Sequence, residues 1–182
     1  MWETLLLVVA VIGIVWGVVT YNRLVRARNR TENAWAQVDV QLRRRHDLVP
    51  NLVETVRGYA AHEESTLEAV VVARNTAVDA STITSQASDE NMLTGALRRL
   101  FALAEAYPEL RSSENFHVLQ VELADIEGDI TIARQIFNDT TLTYNNMVET
   151  VPSSLVAKLR NFDALAFFQV EGEGRSVPKV EF

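Results

Sequence analysis

Histidine and acidic side chains are the residues of this 182-residue chain that could carry metal or acid-base chemistry. Glu114 and His117 match the Glu-x-x-His spacing, which places two ligands on one face of a helix in di-metal carboxylate proteins. Such a site needs a second pair of this kind and two further glutamates, but neither His46 nor His62 has an acid three residues before it. Glu114 also stands at the expected start of its helix, where the helix dipole favours a carboxylate. The ligand set is incomplete, and we predict no metal and no other cofactor.

Other catalytic and ligand-binding patterns are incomplete as well. His62 and Glu63 do not form the His-Glu-x-x-His motif of metalloproteases, because Thr66 stands where the second histidine is required. Four acidic residues lie close together in the sequence, but they do not have the order of ligands that a calcium-binding loop requires. We expect them to form a solvated face of a helix: Glu122, Asp125, Glu127 and Asp129. The chain has no cysteine, which excludes disulfides, zinc-thiolate sites and thiol catalysis. We therefore expect a protein that is not an enzyme.

Polar or amphipathic side chains stand at nine positions where they could bind a partner or fix the register of packed helices. They are Asn33, Trp35, Gln37, Arg43, Arg44, Arg45, Asn138, Tyr144 and Asn145. In one interpretation their amides and hydroxyls form an internal hydrogen-bond network, because an unpaired buried amide costs about 1–3 kcal/mol. In the other they form a recognition surface for a partner protein or a second subunit. Both interpretations remain open at this stage.

The three arginines belong to the run RRRHDLVPN, residues 43–51, which contains a proline inside an otherwise helical pattern. Pro50 has no amide hydrogen and crowds the preceding turn, so we predict a kink or break near residues 48 and 49. The run would then be a joint where the first helix ends, with the arginines offsetting its exposed carbonyl groups. A basic docking site for an acidic neighbour is the alternative.

The charges divide unevenly along the chain. Residues 1–45 carry seven arginines against three acidic residues, so residues 46–182 contain 10 basic and 21 acidic side chains. An acidic surface repels the phosphate backbone of DNA and RNA. A nucleic-acid partner is therefore not expected.

Residues 5–19 contain no charged or strongly polar side chain, and the two flanking threonines extend the stretch to 17 residues. As a helix it would be roughly 26 Å long, close to the hydrocarbon thickness of a bilayer. Amphipathic aromatic residues lie near its ends: Trp2, Trp16 and Tyr21. The flanking residues lack the basic start and the cleavage site of a secretory signal, so we predict an uncleaved anchor. Four arginines between residues 23 and 30 favour the cytoplasmic side, which predicts a bacterial inner-membrane protein with its amino terminus outside and its body cytosolic.

Beyond the anchor, apolar residues recur at helical spacing. No glycine or proline interrupts residues 21–49, so the membrane helix should continue into the first helix of the body. A second helix should place Val71 and Val78 inward. A polar loop is predicted over residues 79–90, with Ser88 or Asp89 capping a helix over residues 91–106 that ends at Tyr107 and Pro108.

The strongest periodicity covers residues 116–151, where apolar positions alternate at steps of three and four and predict a helix of about 35 residues packed in coiled-coil fashion. Pro152 should end it, and residues 153–168 should form a short helix with Leu155, Leu159 and Phe162 inward. We predict an all-α fold, in which the transmembrane helix continues into an antiparallel bundle of about four helices. The boundaries are residues 1–21 for tail and anchor, 22–170 for the bundle and 171–182 for an irregular tail.

Three segments resemble the LemA family of membrane-anchored helical bacterial proteins. They are residues 21–74, which include NAWAQ at 33–37 and DLVPN at 47–51, residues 133–152 (ARQIFNDTTLTYNNMVETVP), and NFDALAFF at 161–168. Phe137 and Val151 stand where the family pattern has a tyrosine and an aromatic residue. The resemblance implies a single amino-terminal span, a cytosolic bundle of about four helices and no established molecular activity. It also implies links to the membrane metalloprotease HtpX and to envelope stress, and a relative, MamQ, serves magnetosome membrane formation.

The leading hypothesis is a non-enzymatic scaffold or adaptor of the inner membrane with a protein partner, for which the membrane metalloprotease is a candidate. The alternative is a self-assembling structural protein that shapes membrane. In that homo-oligomer, apolar residues left outside the main stripe of the long helix, such as Val121 and Ile132, would form the subunit interface. A metal-dependent enzyme built on Glu114 and His117 is the rival from another class.

Overall fold

The computed structural model describes residues 1–169, and every regular element in this part of the chain is a helix. The tail predicted over residues 171–182 lies outside the described residues. The helices are α1 (Trp2–Arg57), α2 (Glu64–Val78), α3 (Ile83–Ala104), α4 (Pro108–Arg111), α5 (Glu114–Glu149) and α6 (Ser153–Leu159). The all-α prediction is confirmed, although the single turn of α4 was not expected from the apolar spacing.

Helix α1 runs without a break from the apolar amino-terminal segment into the packed part of the protein, as predicted. It ends at Arg57, so the predicted end near residues 48 and 49 is wrong. Consequently the three arginines at 43–45 lie within the helix and not at its carboxyl end, and the chain turns at residues 58–63 instead.

A side chain of α2 explains how α1 accommodates Pro50. Because proline has no amide hydrogen, the carbonyl of His46, four residues earlier, loses its helical donor. The Nε of Arg74 donates a hydrogen bond to that carbonyl at 3.2 Å. The polar group that proline leaves without a helical partner is thus satisfied from a neighbouring helix, and the helix continues past it.

Helix α3 begins eight residues earlier than predicted, so most of the loop expected over residues 79–90 is helical. Thr82 is its N-cap, and its Oγ1 accepts a hydrogen bond from the Ser85 amide at 3.1 Å. In return, the Oγ of Ser85 accepts from the Thr82 amide at 3.1 Å. This reciprocal capping box satisfies two amides at the helix start, which replaces the predicted caps Ser88 and Asp89.

Helix α5 has 36 residues, close to the predicted 35, and it begins at Glu114 as expected. Its buried side chains recur with the predicted spacing, at Phe116, Leu123, Ile126, Ile130, Ala133, Phe137 and Tyr144. Val151, the last position of the predicted stripe, lies beyond the helix and is exposed.

Helix α6 ends at Leu159, so the helix predicted over residues 153–168 is too long. Asn161 adopts the left-handed backbone conformation, with φ of 54°. The amide of Phe162 then donates to the Ala157 carbonyl at 3.0 Å, which is the Schellman arrangement that closes a helix. The residues that follow are irregular up to the end of the described chain.

Four apolar side chains that were predicted to face inward are exposed: Val71, Val78, Leu155 and Leu159. On α2 the buried residues are Leu67, Val70 and Ala77, so the last two buried positions each precede a predicted one by one residue. On α6 the inward positions belong to Ser154 and Ala157. Short helices with many apolar residues offer more than one plausible stripe, which explains the wrong choice.

The chain forms two compact units. Unit 1 comprises Met1–Gln41 and Asp129–Phe167, and Leu42–Gly128 forms the main part of unit 2. In unit 1, α1 and α5 pack antiparallel, with the rings of Trp35 and Phe137 5.2 Å apart between centroids. In unit 2, the end of α1 and the start of α5 form a bundle with α2 and α3. Each unit has its own buried core.

The amino-terminal part of α1 differs from the rest of the molecule in its exposure. It is the described helix that is long and apolar enough to cross a membrane, and only 6% of its most apolar 18-residue window is buried. A core helix of a soluble protein would be mostly buried. Its apolar surface therefore needs an environment other than water or the protein's own core.

Candidate functional site

Arg45 is the most deeply buried charged residue that the sequence analysis singled out, with 2% of its surface exposed. Its Nη2 donates to the Glu90 carboxylate, and its Nη1 donates to Glu127 at 2.6 Å and to Thr94 at 3.0 Å. These contacts link α1 to α3 and α5 inside unit 2. The Arg45 cluster is defined here as Arg45, His46, Gln86, Glu90, Thr94 and Glu127.

The second carboxylate oxygen of Glu90 is also satisfied. His46 Nε2 lies 2.7 Å from it, and the Gln86 amide donates to it at 2.8 Å. Gln86 also donates to the Ala77 carbonyl at 3.0 Å, which connects α2 to the cluster. Glu90 thus accepts hydrogen bonds from two helices while remaining buried. A carboxylate with three protein partners is arranged to join helices, because most of its lone pairs are already occupied.

The Arg45 cluster was not found from the sequence, although a signal for it existed. The buried apolar residues Val38, Leu42, Val49, Leu52 and Val56 are separated by steps of three and four when Arg45 is counted with them. Glu90 lies three residues before Leu93 on the corresponding stripe of α3. Arg45 and Glu90 have opposite charges and stand at inward positions of two helices, and this pattern predicts an ion pair between them.

Tyr144 and Asn145 form a second group of polar contacts, in unit 1. The hydroxyl of Tyr144 donates to the Asp163 carbonyl at 3.0 Å. The Asn145 side chain donates to the Leu165 carbonyl at 2.9 Å and accepts from the Leu165 amide at 2.8 Å. The two residues attach the irregular segment after α6 to the long helix. Burial raises the pKa of the Tyr144 hydroxyl, which keeps this donor protonated at neutral pH.

The remaining candidates lie nearer the surface. Asn33, Gln37, Arg43 and Arg44 are exposed, whereas Trp35 and Asn138 are half-buried. The three arginines belong to unit 2 and the other six candidates to unit 1. Among the nine, Arg45, Tyr144 and Asn145 form the hydrogen bonds and ion pairs described above, Trp35 packs its ring on Phe137, and Gln37 lies in the groove described next.

An apolar groove opens between α1 and α5 in unit 1, with a volume of about 400 Å³. Its lining residues are Ala36, Gln37, Val40, Gln41, Asp129, Ile132, Ala133 and Ile136. Val40, Ile132 and Ile136 are exposed there, Ile132 by 60%. Polar side chains border the apolar floor. An exposed apolar strip with a polar border is typical of a protein-binding surface.

The residues proposed for metal chemistry are separate surface side chains. Glu114, His117 and His62 are all exposed. Within residues 1–169, no three His, Asp or Glu side chains lie close enough together to bind a metal ion.

Comparison with known proteins gives one family and several named relatives. The model described as the LemA family matches residues 34–182. The chain is 24% identical over 200 residues to the Magnetosome protein MamQ of Magnetospirillum gryphiswaldense, covering 93% of this chain and 74% of that protein. It is 25% identical over 199 residues to Magnetosome protein MamQ 2 of Paramagnetospirillum magneticum, with coverage of 93% and 73%. It is also 25% identical over 152 residues to Protein LemA of Metamycoplasma hominis, with coverage of 81% and 68%.

Proposed function

Because the chain belongs to the LemA family, we propose that it is a non-enzymatic, single-pass membrane protein that acts as a scaffold or adaptor in the bacterial inner membrane. The observation that carries this proposal is the exposed apolar segment of α1, which continues without a break into a packed helical body. The anchor keeps the body at the membrane surface, and the groove of unit 1 presents an apolar strip to a partner. The partner proposed for the groove is an apolar helix of the membrane metalloprotease HtpX.

The groove supports a protein ligand better than a small molecule. Its floor is shallow and apolar, and its polar residues Gln37, Gln41 and Asp129 lie on both helices that form it. An amphipathic or membrane-proximal helix can place apolar side chains between Val40 and Ile132 and pair its polar face with the border. In this role the Arg45 cluster has the separate task of fixing the helices of unit 2.

Self-assembly is the second candidate function. Val121 is exposed on α5 together with Ile132, and these were the residues predicted to form a subunit interface. Two of the relatives reported above carry the name Magnetosome protein, and the resemblance to the family links that name to membrane formation. In this alternative the occupant of the groove is a second copy of the chain.

Single-cysteine crosslinking separates the two functions, because the chain has no cysteine of its own. Full-length Ile132→Cys, labelled with a benzophenone maleimide, would be reconstituted in bilayer vesicles with or without purified HtpX and then irradiated. Val118→Cys is the matched control, since Val118 is an exposed valine on the same helix outside the groove. We expect an adduct with HtpX from position 132 and little or none from position 118.

Each result has one interpretation. An adduct of twice the chain mass that forms without HtpX would favour self-assembly over the adaptor function. Equal adducts from positions 132 and 118 would contradict a role for the groove. Absence of any adduct, together with a monomeric mass in detergent, would contradict both functions.

A further inference from the structure

A second cleft of unit 1 lies where the apolar part of α1 meets its arginine-rich part. It has a volume of about 530 Å³, and its lining includes Trp16, Thr20, Arg23, Arg26, Arg30 and Met147. We propose that this cleft binds the phosphate group of an anionic phospholipid headgroup. The inference rests on the membrane anchoring proposed above and adds a ligand to it.

The charge of the cleft is uniformly positive. Three arginines line it, and none of its lining residues is acidic. Among the described residues, Arg23 and Arg30 have no hydrogen-bond or ion-pair partner, and Arg26 donates only its Nε to the Asn22 carbonyl at 3.1 Å. The guanidinium groups therefore keep free donors in the fork geometry that matches phosphate oxygens.

The hydroxyl groups of the cleft are less suited to supply those donors. Thr143 already donates to the Asp139 carbonyl at 2.9 Å, and Ser153 donates to the Thr150 carbonyl at 3.0 Å. Thr20 is the third hydroxyl residue of the cleft, so an anion would be bound chiefly by the three arginines, with Thr20 as the remaining hydroxyl donor. Since they lie at spacings of three and four residues, the three side chains extend from one helix face and can converge on one phosphate.

The position of the cleft favours a lipid over free phosphate. Arg23 is about 6 Å along the helix from the last apolar residue, Val19, and the headgroup layer is about 5–8 Å thick on each side of a bilayer. Arg30 lies about 16 Å from Val19, and a long arginine side chain can reach back towards the interface. Trp16 and Met147 add apolar surface to the cleft. A phosphate at the arginines would thus have its acyl chains beside the exposed apolar segment.

A neighbouring cleft contains an arginine that is already paired with a carboxylate, and this arginine provides the control variant. Arg28 lies on another face of the same helix, in a cleft that also contains Glu32. The Nε of Arg28 is 3.0 Å from the Glu32 carboxylate, so its charge is already paired. Arg28→Gln and Arg23→Gln therefore remove the same charge from the same helical region, but only the second removes a guanidinium from the proposed site.

The test is a native mass spectrometry titration of the full chain in detergent, which counts bound lipid molecules. The probes are dioctanoyl phosphatidylglycerol, dioctanoyl phosphatidylcholine and inorganic phosphate. We expect one phosphatidylglycerol per chain, bound at least tenfold more tightly than phosphatidylcholine. Arg23→Gln should weaken binding about fivefold, the contribution of one arginine near an anionic surface, and Arg28→Gln should weaken it less than twofold.

Three outcomes would overturn the proposal. They are equal binding of the two lipids, equal losses in the two variants, and displacement of phosphatidylglycerol by an equal concentration of inorganic phosphate. The last outcome would assign the cleft to free phosphate. Flotation of the chain with phosphatidylcholine vesicles tests the anchor separately, so flotation without lipid selectivity would refute the cleft alone, and loss of flotation would refute the anchoring.

Discussion

The Arg45 cluster places a charged guanidinium in the interior of unit 2, where an unpaired charge would cost several kcal/mol. The cost is offset because Glu90 and Glu127 supply carboxylates and Thr94 supplies a hydroxyl. The Nε of Arg45 is buried without a hydrogen bond to any described residue, so the guanidinium group does not have all its hydrogen bonds. The cluster is therefore better understood as specifying which helices meet than as a large source of stability.

Double-mutant analysis of Arg45 and Glu90 tests this view. Glu90→Gln should lower the free energy of unfolding by about 3 kcal/mol, the low end for breaking a buried ion pair, because Glu127 still pairs with Arg45. Arg45→Met leaves the Glu90 carboxylate with His46 and Gln86 and should be destabilising too. The combination should be less destabilised than the sum of the single changes. Denaturant unfolding of the full chain in detergent measures all three, and additive effects would contradict a direct coupling.

The residue types of the cluster were visible in the sequence, but their roles were not. Three consecutive arginines stand at residues 43–45 and have the same side chain. Only the spacing of the buried apolar residues before and after them shows that Arg45 faces inward. Tyr144 and Asn145 were singled out correctly as polar residues in an apolar pattern. Their actual partners, the backbone groups of Asp163 and Leu165, belong to an irregular segment whose path no periodicity predicts.

At the scale of elements, Pro50 shows that a residue can be compatible with a helix when another helix supplies the missing interaction. An interior proline usually costs about 3 kcal/mol, in part through the carbonyl it leaves unpaired. Here Arg74 donates to that carbonyl, which belongs to His46. Helix α1 therefore depends on its packing against α2 at this point.

A second double-mutant cycle, of Arg74 and Pro50, measures how far helix α1 depends on this contact with α2. Arg74→Met should destabilise the protein by about 1.5 kcal/mol when Pro50 is present, because the His46 carbonyl then loses the Arg74 donor as well as the helical one. In the Pro50→Ala background the backbone supplies the donor, so the same change should cost about 1 kcal/mol less. The other bond of Arg74, to Asn75, is common to both backgrounds and cancels. Equal costs of Arg74→Met in the two backgrounds, measured by thermal unfolding in detergent, would argue against compensation.

Element boundaries were the least predictable part of the fold. The long helices α1 and α5 were anticipated because many turns of regular spacing outweigh local exceptions. The start of α3 depends on a capping box between Thr82 and Ser85, which lies in a stretch of small polar residues typical of a loop. The end of α6 depends on Asn161 in a left-handed conformation, a single residue among apolar neighbours. A capping box or a single left-handed residue gives a weaker sequence signal than apolar spacing does. These two helix ends were therefore predicted at the wrong residues.

For the whole molecule, the arginines next to the apolar segment determine the expected orientation. Four arginines follow the apolar segment within residues 23–30, and the later residues are strongly acidic. Basic residues near a span stay on the cytoplasmic side, whereas acidic residues have little influence on the choice. The family and the apolar segment were both predictable from the sequence. The clefts of unit 1 were not, because each is formed by two segments that are distant from one another in the sequence.

Protease accessibility in spheroplasts tests the orientation. Trypsin added to intact spheroplasts should leave the chain at full length, since its exposed arginines, such as Arg43 and Arg57, would be cytosolic. After permeabilisation with detergent the same treatment should cleave it, which shows that these sites are cleavable. Degradation in intact spheroplasts would place the body outside and redirect the search for partners.

The contact between Arg74 and the His46 carbonyl also constrains the order in which substitutions can occur during evolution. If Arg74 is lost while Pro50 remains, the intermediate loses the side-chain donor that replaces the missing proline amide. If Pro50 is replaced first, the arginine becomes free to vary. The two orders of substitution are therefore not equivalent, and lineages that lack the arginine should be those in which the proline disappeared earlier.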